Sequence, residues 1–318
     1  MNNQRFRSID TFRGLAILGM VLANHLAGTE LIPAALKHAA DIGYTIVDLV
    51  APMFIFAIGL TYRLSAERRL VRDGISKTTL HFLIRYLAIL GIGALFSAGE
   101  EALLSGTPII NWGVLQSIGI SGMITLIFIR KSTWARLGVG LAILALYQFL
   151  LDRFWLENVL VSPHGGLLGS LSWAGMLILS TAIADLFHTY RPDLRNLTFC
   201  AVFSLLLGLG LSLWFPISKN RVSATYILVS TGLSGMIFSA VHTLVERLGL
   251  RFQLLTLWGK HPLALYILHL LLLGIITLPQ TLGWYRHAPV CLVFAQAAVI
   301  LTILTLLAFR LEKKRAQL

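Results

Sequence analysis

Apolar runs of about 20 residues, separated by short basic bursts, recur along this chain from its first dozen residues almost to its last. A hydrocarbon layer ~30 Å thick takes about 20 apolar residues per helix. Inside it every backbone N–H and C=O must be satisfied within the structure, which leaves helices as the natural spanning element. That criterion gives ten spans, at roughly 9–29, 43–62, 79–98, 112–130, 133–151, 167–187, 197–215, 223–245, 254–278 and 288–309. Of the 318 residues, 57% are hydrophobic and 13% charged, with a mean hydropathy of +0.79. A soluble globule of this length would lack the polar residues to cover its surface. The expected fold is therefore all-α, a polytopic transmembrane helical bundle of about ten spans. Residues 1–318 are expected to form one transmembrane domain, since there is no repeat, low-complexity tract or linker long enough to divide it.

The loops alternate in charge. One side of the bundle collects Arg5, Arg7 and Arg13; Arg63, Arg68, Arg69, Arg72, Lys77 and Arg85; Arg130, Lys131 and Arg136; Arg191 and Arg195; Arg247 and Arg251; and Arg310, Lys313, Lys314 and Arg315. The other side has Lys37, Arg153, Lys219, Arg221 and Arg286, while Lys260 falls within the ninth span. The excess of Lys and Arg on one side places both termini in the cytoplasm and the loop holding His38 on the outer side. Topology explains the net charge of +12 better than nucleic-acid binding does, because the basic residues come in short bursts between apolar runs. The start, "MNNQRFRSIDTFRG", leads into an apolar run with no small-residue cleavage pattern, so this run reads as a retained first span. Cys200 and Cys291 lie in apolar segments and read as buried free thiols.

Ionisable groups within a span cost several kcal/mol and normally face a cavity or a partner. The first span holds Asp10, Arg13, Asn24 and His25. Arg13 and Asn24 are eleven residues apart, which returns nearly to the same helical face after a rise of roughly 16 Å. The alternative is that Arg13 snorkels to headgroups and Asn24 only bonds a neighbouring helix. In the second span Asp41, Asp48 and Gly59 share a face, and Pro52 removes the hydrogen bond to the Asp48 carbonyl, so a kink is expected there. A histidine in a loop is more often incidental than catalytic. His38 stands out by its company, with an Asn-bearing span before it and a carboxylate-bearing one after. "WGKHPLALYILH" in the ninth span sets His261 and His269 about 80° apart around a helix, with Tyr266 between them. The two border one cavity, or His261 sits near the headgroups. The sequence has no P-loop, G-x-G-x-x-G, G-x-S-x-G or H-E-x-x-H element, and its histidines are too scattered to argue for a metal site.

These segments resemble the family of heparan-alpha-glucosaminide N-acetyltransferase and its bacterial relatives, polytopic membrane acyltransferases. The resemblance is carried by "RSIDTFRGLAILGMVLANHLAG" at 7–28, "KHAADIGYTIVDLVAPMFIFAIG" at 37–59, "GVLQSIGI" at 113–120, "SPHGGLLGSL" at 162–171, "PISKNRVSATYILVSTGL" at 216–233 and "WGKHPLALYILH" at 258–269. It implies transfer of an acetyl group from cytoplasmic acetyl-CoA to an acceptor on the outer side, an amino sugar or glycan. The family's active histidine matches His38, its first-span asparagine Asn24 and its D-L-V-x-P aspartate Asp48. A tryptophan often found after the histidine is Asp41 here, and the aromatic residue before the proline is Ala51. The acidic residue expected in a P-E-G element is His164, and the asparagine expected after G-K is His261. The first two departures lie toward the acceptor side, so the sugar's identity does not carry over.

The mechanism expected from this resemblance is acyl transfer with His38, Asn24 and Asp48 as catalytic residues. CoA enters from the cytoplasmic side, where Arg13 meets its phosphates; Gln116, His261 and His269 complete the donor-binding wall. Asn24 donates to the thioester oxygen, His38 takes the acceptor's proton or carries the acetyl group itself, and Asp48 fixes the imidazole. The expected setting is multi-pass in a bacterial inner membrane, with acetyl-CoA as donor substrate, no metal and no nucleic acid, and with self-association left open. A proton-coupled transporter of a small polar solute is the rival reading, disfavoured because no pair of broken helices repeats between the two halves. A scaffold subunit is a third, and it leaves the polar stripe of the first span without a purpose.

Overall fold

The computed structural model describes residues 6–188, 194–279, 281 and 283–316. Arg5 and Arg191, two of the basic residues used for the topology, lie outside them. Among the described residues the chain is all-helical, without a β-strand. The principal helices are α1 (Arg7–Ala27), α2 (Val50–Ser105), α3 (Val114–Phe128), α4 (Thr133–Leu150), α5 (Leu156–Leu160), α6 (Gly166–His188), α7 (Leu194–Leu211), α8 (Ala224–His242), α9 (Gln253–Lys260), α10 (Pro262–Thr277) and α11 (Val290–Ala316).

Each of the ten expected spans has helix beneath it, but the count by length and apolarity is smaller. Six described helices are long and apolar enough to cross a membrane, or seven if one bent pair counts as a single span. Three causes account for the difference. Helix α3 has only 15 residues. Helix α1 is diluted by Asp10, Arg13, Asn24 and His25. Helix α2 runs over two expected spans at once, with a break at Gly74, whose φ of 77° and ψ of 176° no helix contains. A positive φ costs glycine nothing, so the chain turns here. Tyr62 and Tyr86, on opposite sides of the break, bring their rings to 5.4 Å, so the two arms fold back as a hairpin.

The ninth span is also not the continuous helix expected. It is α9 followed by α10, bent by 92°. Pro262 is the first residue of α10, where its missing N–H is not needed and its fixed φ suits a helix start. Pro52 behaves in the same way. It lies in the first turn of α2 and not at a mid-span kink, because α2 begins only at Val50, after a 3-10 turn at Ile46–Leu49. Asp41 is accordingly not on a helical face with Asp48 and Gly59; it lies in the loop before that turn.

The chain divides into two compact units. The first comprises residues 1–39, 45–54 and 237–318, and is built on α1. One seam of α1 is glycine-tight against α9: a Cβ on Gly14 would fall 1.8 Å from the Leu255 carbonyl oxygen, and one on Gly259 would fall 1.7 Å from that of Asp10. Only backbones that approach this closely exclude every side chain but hydrogen. Phe12, Ile17, Leu257 and Trp258 are buried in this unit, and Leu26, Ile32, Ala288 and Val293 form a separate cluster in it. Gly19 of α1 meets Val50, the first residue of α2, with a Cβ position 3.2 Å from its Cγ2.

The second unit comprises residues 40–44 and 55–236. Its centre is α6, buried along most of its length, with α3 and α4 packed on it. Phe199, Phe203 and Leu206 of α7 are exposed, as expected of side chains that face lipid. At one end of this unit Asp185 accepts from Arg63, Arg136 and Thr133, and Arg136, although fully buried, also donates to Thr181 Oγ1 at 2.7 Å. Cys200 is half-buried, whereas Cys291 is exposed and not buried as its apolar neighbours suggested. A thiol facing lipid is as compatible with an apolar run as a buried one.

Candidate active site

The first unit brings His38 and Asp48 together. The His38 Nδ1 lies 2.7 Å from Asp48 Oδ1. The other carboxylate oxygen, Oδ2, accepts from the backbone N–H of Thr45 at 2.9 Å and of Ala39 at 3.2 Å. The Thr45 hydroxyl lies 3.0 Å from the same oxygen and 2.8 Å from the Lys37 carbonyl, and its single proton serves one of them at a time. The two oxygens thus have different tasks. Oδ2 caps the turn that opens α2, in a Thr-x-x-Asp capping box, and Oδ1 is left for the imidazole.

The dyad is graded in exposure. The Asp48 side chain is 0% exposed and that of His38 34%. A carboxylate accepts only, so Nδ1 must carry the proton in this pair, which leaves the Nε2 lone pair outward-going and basic. Among the described residues Nε2 has no hydrogen-bond partner. A buried carboxylate that fixes the tautomer of a partly exposed imidazole is the arrangement a general base or an acyl carrier needs.

The loop leading to His38 is held at its start. Glu30 accepts from Arg286 Nε at 2.9 Å and lies 2.9 Å from His287 Nδ1, while its backbone N–H donates to the Arg286 carbonyl. The bond from Arg286 holds the Glu30 carboxyl below its ordinary range.

Of the remaining expected residues, Asn24, Arg13, His269 and His261 belong to the first unit and Gln116 to the second. Asn24, near the end of α1, is half-buried in the same unit as the dyad, and its amide has no protein partner among the described residues. Arg13, also on α1, is 22% exposed and lies 3.6 Å from Asp10. His269 of α10 is fully buried, with neither ring nitrogen hydrogen-bonded. His25 is also fully buried, with Nε2 3.1 Å from the Val293 carbonyl oxygen and Nδ1 unpartnered. Buried polar atoms in native proteins nearly always have partners, so these nitrogens suit a water or a polar ligand group. His261 sits at the bend between α9 and α10, where it and Lys260 share Glu312; its Nε2 is 3.2 Å from Oε2. His261 is itself non-helical, with φ −127° and ψ 43°, so the angle of about 80° read for one continuous helix does not apply to it. Gln116 belongs to the second unit, where its amide is buried and donates to the Asn111 carbonyl at 3.0 Å. Among the described residues no group of three or more His, Cys, Asp or Glu is placed to hold a metal ion.

Sequence reasoning missed Thr45, and it singled out Asp41 without finding the partner that pairs with it. Thr45 had a signal, a Thr three residues before an Asp at the head of an apolar run. The pairing of Asp41 had none, because its partners lie about 180 residues away. In the second unit it accepts from both Nε and Nη2 of Arg221, with Nε 3.0 Å from each carboxylate oxygen, and from Ser218 Oγ at 2.8 Å. Arg221 holds the Asp41 carboxyl below its ordinary value and is itself held above its own.

A family model described as "Heparan-alpha-glucosaminide N-acetyltransferase, catalytic" matches residues 5–215. The human protein named heparan-alpha-glucosaminide N-acetyltransferase is 36% identical over 124 residues, which cover 37% of this chain and 18% of that protein. The mouse protein of the same name is 36% identical over 121 residues, with the same shares covered. The matched stretch is thus less than a fifth of the length of these curated relatives.

Proposed function

The chain belongs to the heparan-alpha-glucosaminide N-acetyltransferase catalytic family, and from that membership we propose that it is a multi-pass membrane enzyme that moves an acetyl group from cytoplasmic acetyl-CoA to an acceptor on the opposite side, an amino sugar or glycan. Its setting in this reading is a bacterial inner membrane with both termini cytoplasmic, as the distribution of Lys and Arg favours.

The observation that carries the reading is the dyad: a fully buried Asp48 bonded to Nδ1 of a partly exposed His38. The steps follow from its polarity. The acceptor nitrogen attacks the thioester carbon, forming the C–N bond and moving the carbonyl pair onto oxygen. His38 Nε2 takes the N–H proton, and Asp48 stabilises the imidazolium so formed. The Asn24 amide donates to the oxyanion, a contribution worth roughly 3 kcal/mol in a water-excluded site. Collapse breaks the C–S bond, and the departing thiolate takes the proton from His38. In the variant route Nε2 itself attacks first and carries the acetyl group as an acyl-imidazole. Arg13 is assigned to the CoA phosphates, and His269 and His261 to the donor side.

The test is transfer of labelled acetyl from acetyl-CoA to a panel of amino sugars by protein purified in detergent, with products identified by mass spectrometry. Acetylated sugar is expected from the wild type. Asn24→Ala should lose about 10²-fold, and His38→Ala about 10²–10⁴-fold. Label retained on His38 after incubation with acetyl-CoA alone selects the acyl-carrier route. Wild-type protein that turns over no acetyl-CoA, or His38→Ala with full transfer activity, sinks the reading; the first outcome is the one a transporter would give.

A further inference from the structure

Residues 40–44, which with Ala39 join His38 to the Thr45–Asp48 turn, are fastened along most of their length to one distant stretch of chain. Asp41 holds Arg221 through both nitrogens and accepts from Ser218 Oγ. The Asn220 amide donates to the Ala40 carbonyl. The Gly43 N–H donates to the Ile217 carbonyl at 2.9 Å. Tyr44 Oη lies 3.0 Å from Ser230 Oγ. By contrast, Ile42 is exposed and the segment has no helical or strand structure of its own, so these bonds are what orders it.

The turn that does the holding is rigid. Its Val222 is fully buried and has φ of 49°, a conformation that a β-branched residue rarely adopts. Such strain persists only where the surroundings over-determine the backbone, and it marks places under functional constraint. Here the surroundings are on view. Ser172 Oγ donates to the Val222 carbonyl at 2.7 Å, Tyr147 Oη to the Arg221 carbonyl at 2.8 Å, and the Arg221 N–H to Ser218 Oγ at 3.1 Å. The Ala224 N–H donates to Gln148 Oε1 at 2.9 Å.

We propose that Asp41 and Arg221 are positioning residues that clamp the 40–44 segment to this strained turn, and so hold His38 and Asp48 in register for catalysis. A loop fixed at its middle has fewer conformations in which its two ends can part. A base displaced by about 1 Å can lose about 10²-fold in rate.

The kinetic arm of the test rests on the acetyltransferase reading; a second arm does not. Asp41→Asn and Arg221→Gln are assayed for kcat and for KM toward acetyl-CoA. In parallel, the rate of His38 carbethoxylation by diethylpyrocarbonate is followed by mass spectrometry, which needs no turnover. Each variant is expected to lose about 5- to 20-fold in kcat with KM for acetyl-CoA unchanged, and to change His38 reactivity at least threefold. The exchange Asp41→Arg/Arg221→Asp should recover part of both. Asn220→Ala, which removes only the bond to Ala40, gives a milder version if Arg221→Gln does not fold. Variants with kcat and His38 reactivity within twofold of wild type overturn the clamp, as does a loss carried by KM for acetyl-CoA. If wild-type protein shows no transfer, the function fails, and the reactivity arm alone decides the clamp.

Discussion

Asp48→Asn alters one atom at the most heavily bonded point of the site. The oxygen that accepts from the Thr45 and Ala39 N–H groups must stay an oxygen, since an amide NH₂ placed there would set donor against donor. The new NH₂ therefore faces His38 Nδ1, which must then accept, and the ring proton moves to Nε2. Two losses follow. The charge-assisted bond to the imidazolium is worth about 1.5–3 kcal/mol, or roughly 10- to 150-fold in rate. The inverted tautomer removes the basic lone pair as well; in the serine protease triad the corresponding change costs about 10⁴ in kcat. The expected result here is a fall of about 10²–10⁴ in kcat. KM for acetyl-CoA should stay within about twofold, because the lost interactions act on the imidazole and not on the donor. Stability should change by less than about 1 kcal/mol, since the cap on the α2 turn keeps its acceptor. Labelled-acetyl transfer gives the kinetics, and ¹⁵N NMR of histidine-labelled protein reads the tautomer. An inverted tautomer with kcat within threefold of wild type would refute the reasoning.

Two further outcomes follow from contacts described above. Gly259→Ala sets a Cβ 1.7 Å from the Asp10 carbonyl oxygen, and backbone cannot step aside as a side chain can. The loss should reach the top of the ~1–3 kcal/mol range for overpacking or exceed it. Gly274→Ala, with nothing within 4 Å of its Cβ, is the neutral control, and thermal melting in detergent separates the two. The Asp41 carboxyl is depressed in the folded protein by its bond from Arg221. Its contribution to stability is therefore complete above the ordinary value of 3.8 and fades as pH falls through the lower folded value. The gap in melting temperature between wild type and Asp41→Asn should be constant from pH 7 to about pH 5 and close in stronger acid; a gap that persists unchanged there contradicts the ion pair.

The helices were legible because hydropathy over 20 residues is a local property, and the His38–Asp48 pair because ten residues of chain hold both partners. What depended on distant partners was not. Asp41 reads as a polar residue at the head of a span until Arg221 is seen beside it. Arg136 reads as a loop charge, yet it is fully buried against Asp185 and Thr181. Pro52 suggests a mid-span kink but lies in the first turn of α2, and Pro262 opens α10 where a continuous span was expected; what a proline does depends on where the helix starts, and that is set by caps. Gly74 lies in the basic stretch between the second and third expected spans; its dihedral angles place the turn at that residue, while helix continues on either side.

The seam between α1 and α9 has a consequence for biosynthesis. Helix α1 is synthesised well before its tight-packing partner, residues 253–260, and Ser8 waits for His242 and Glu246. Until those residues are made α1, with Asp10, Arg13 and Asn24 along it, lacks the glycine-tight seam. A nascent chain stalled before residue 240 should accordingly be a client for membrane quality control, however well its central helices have assembled.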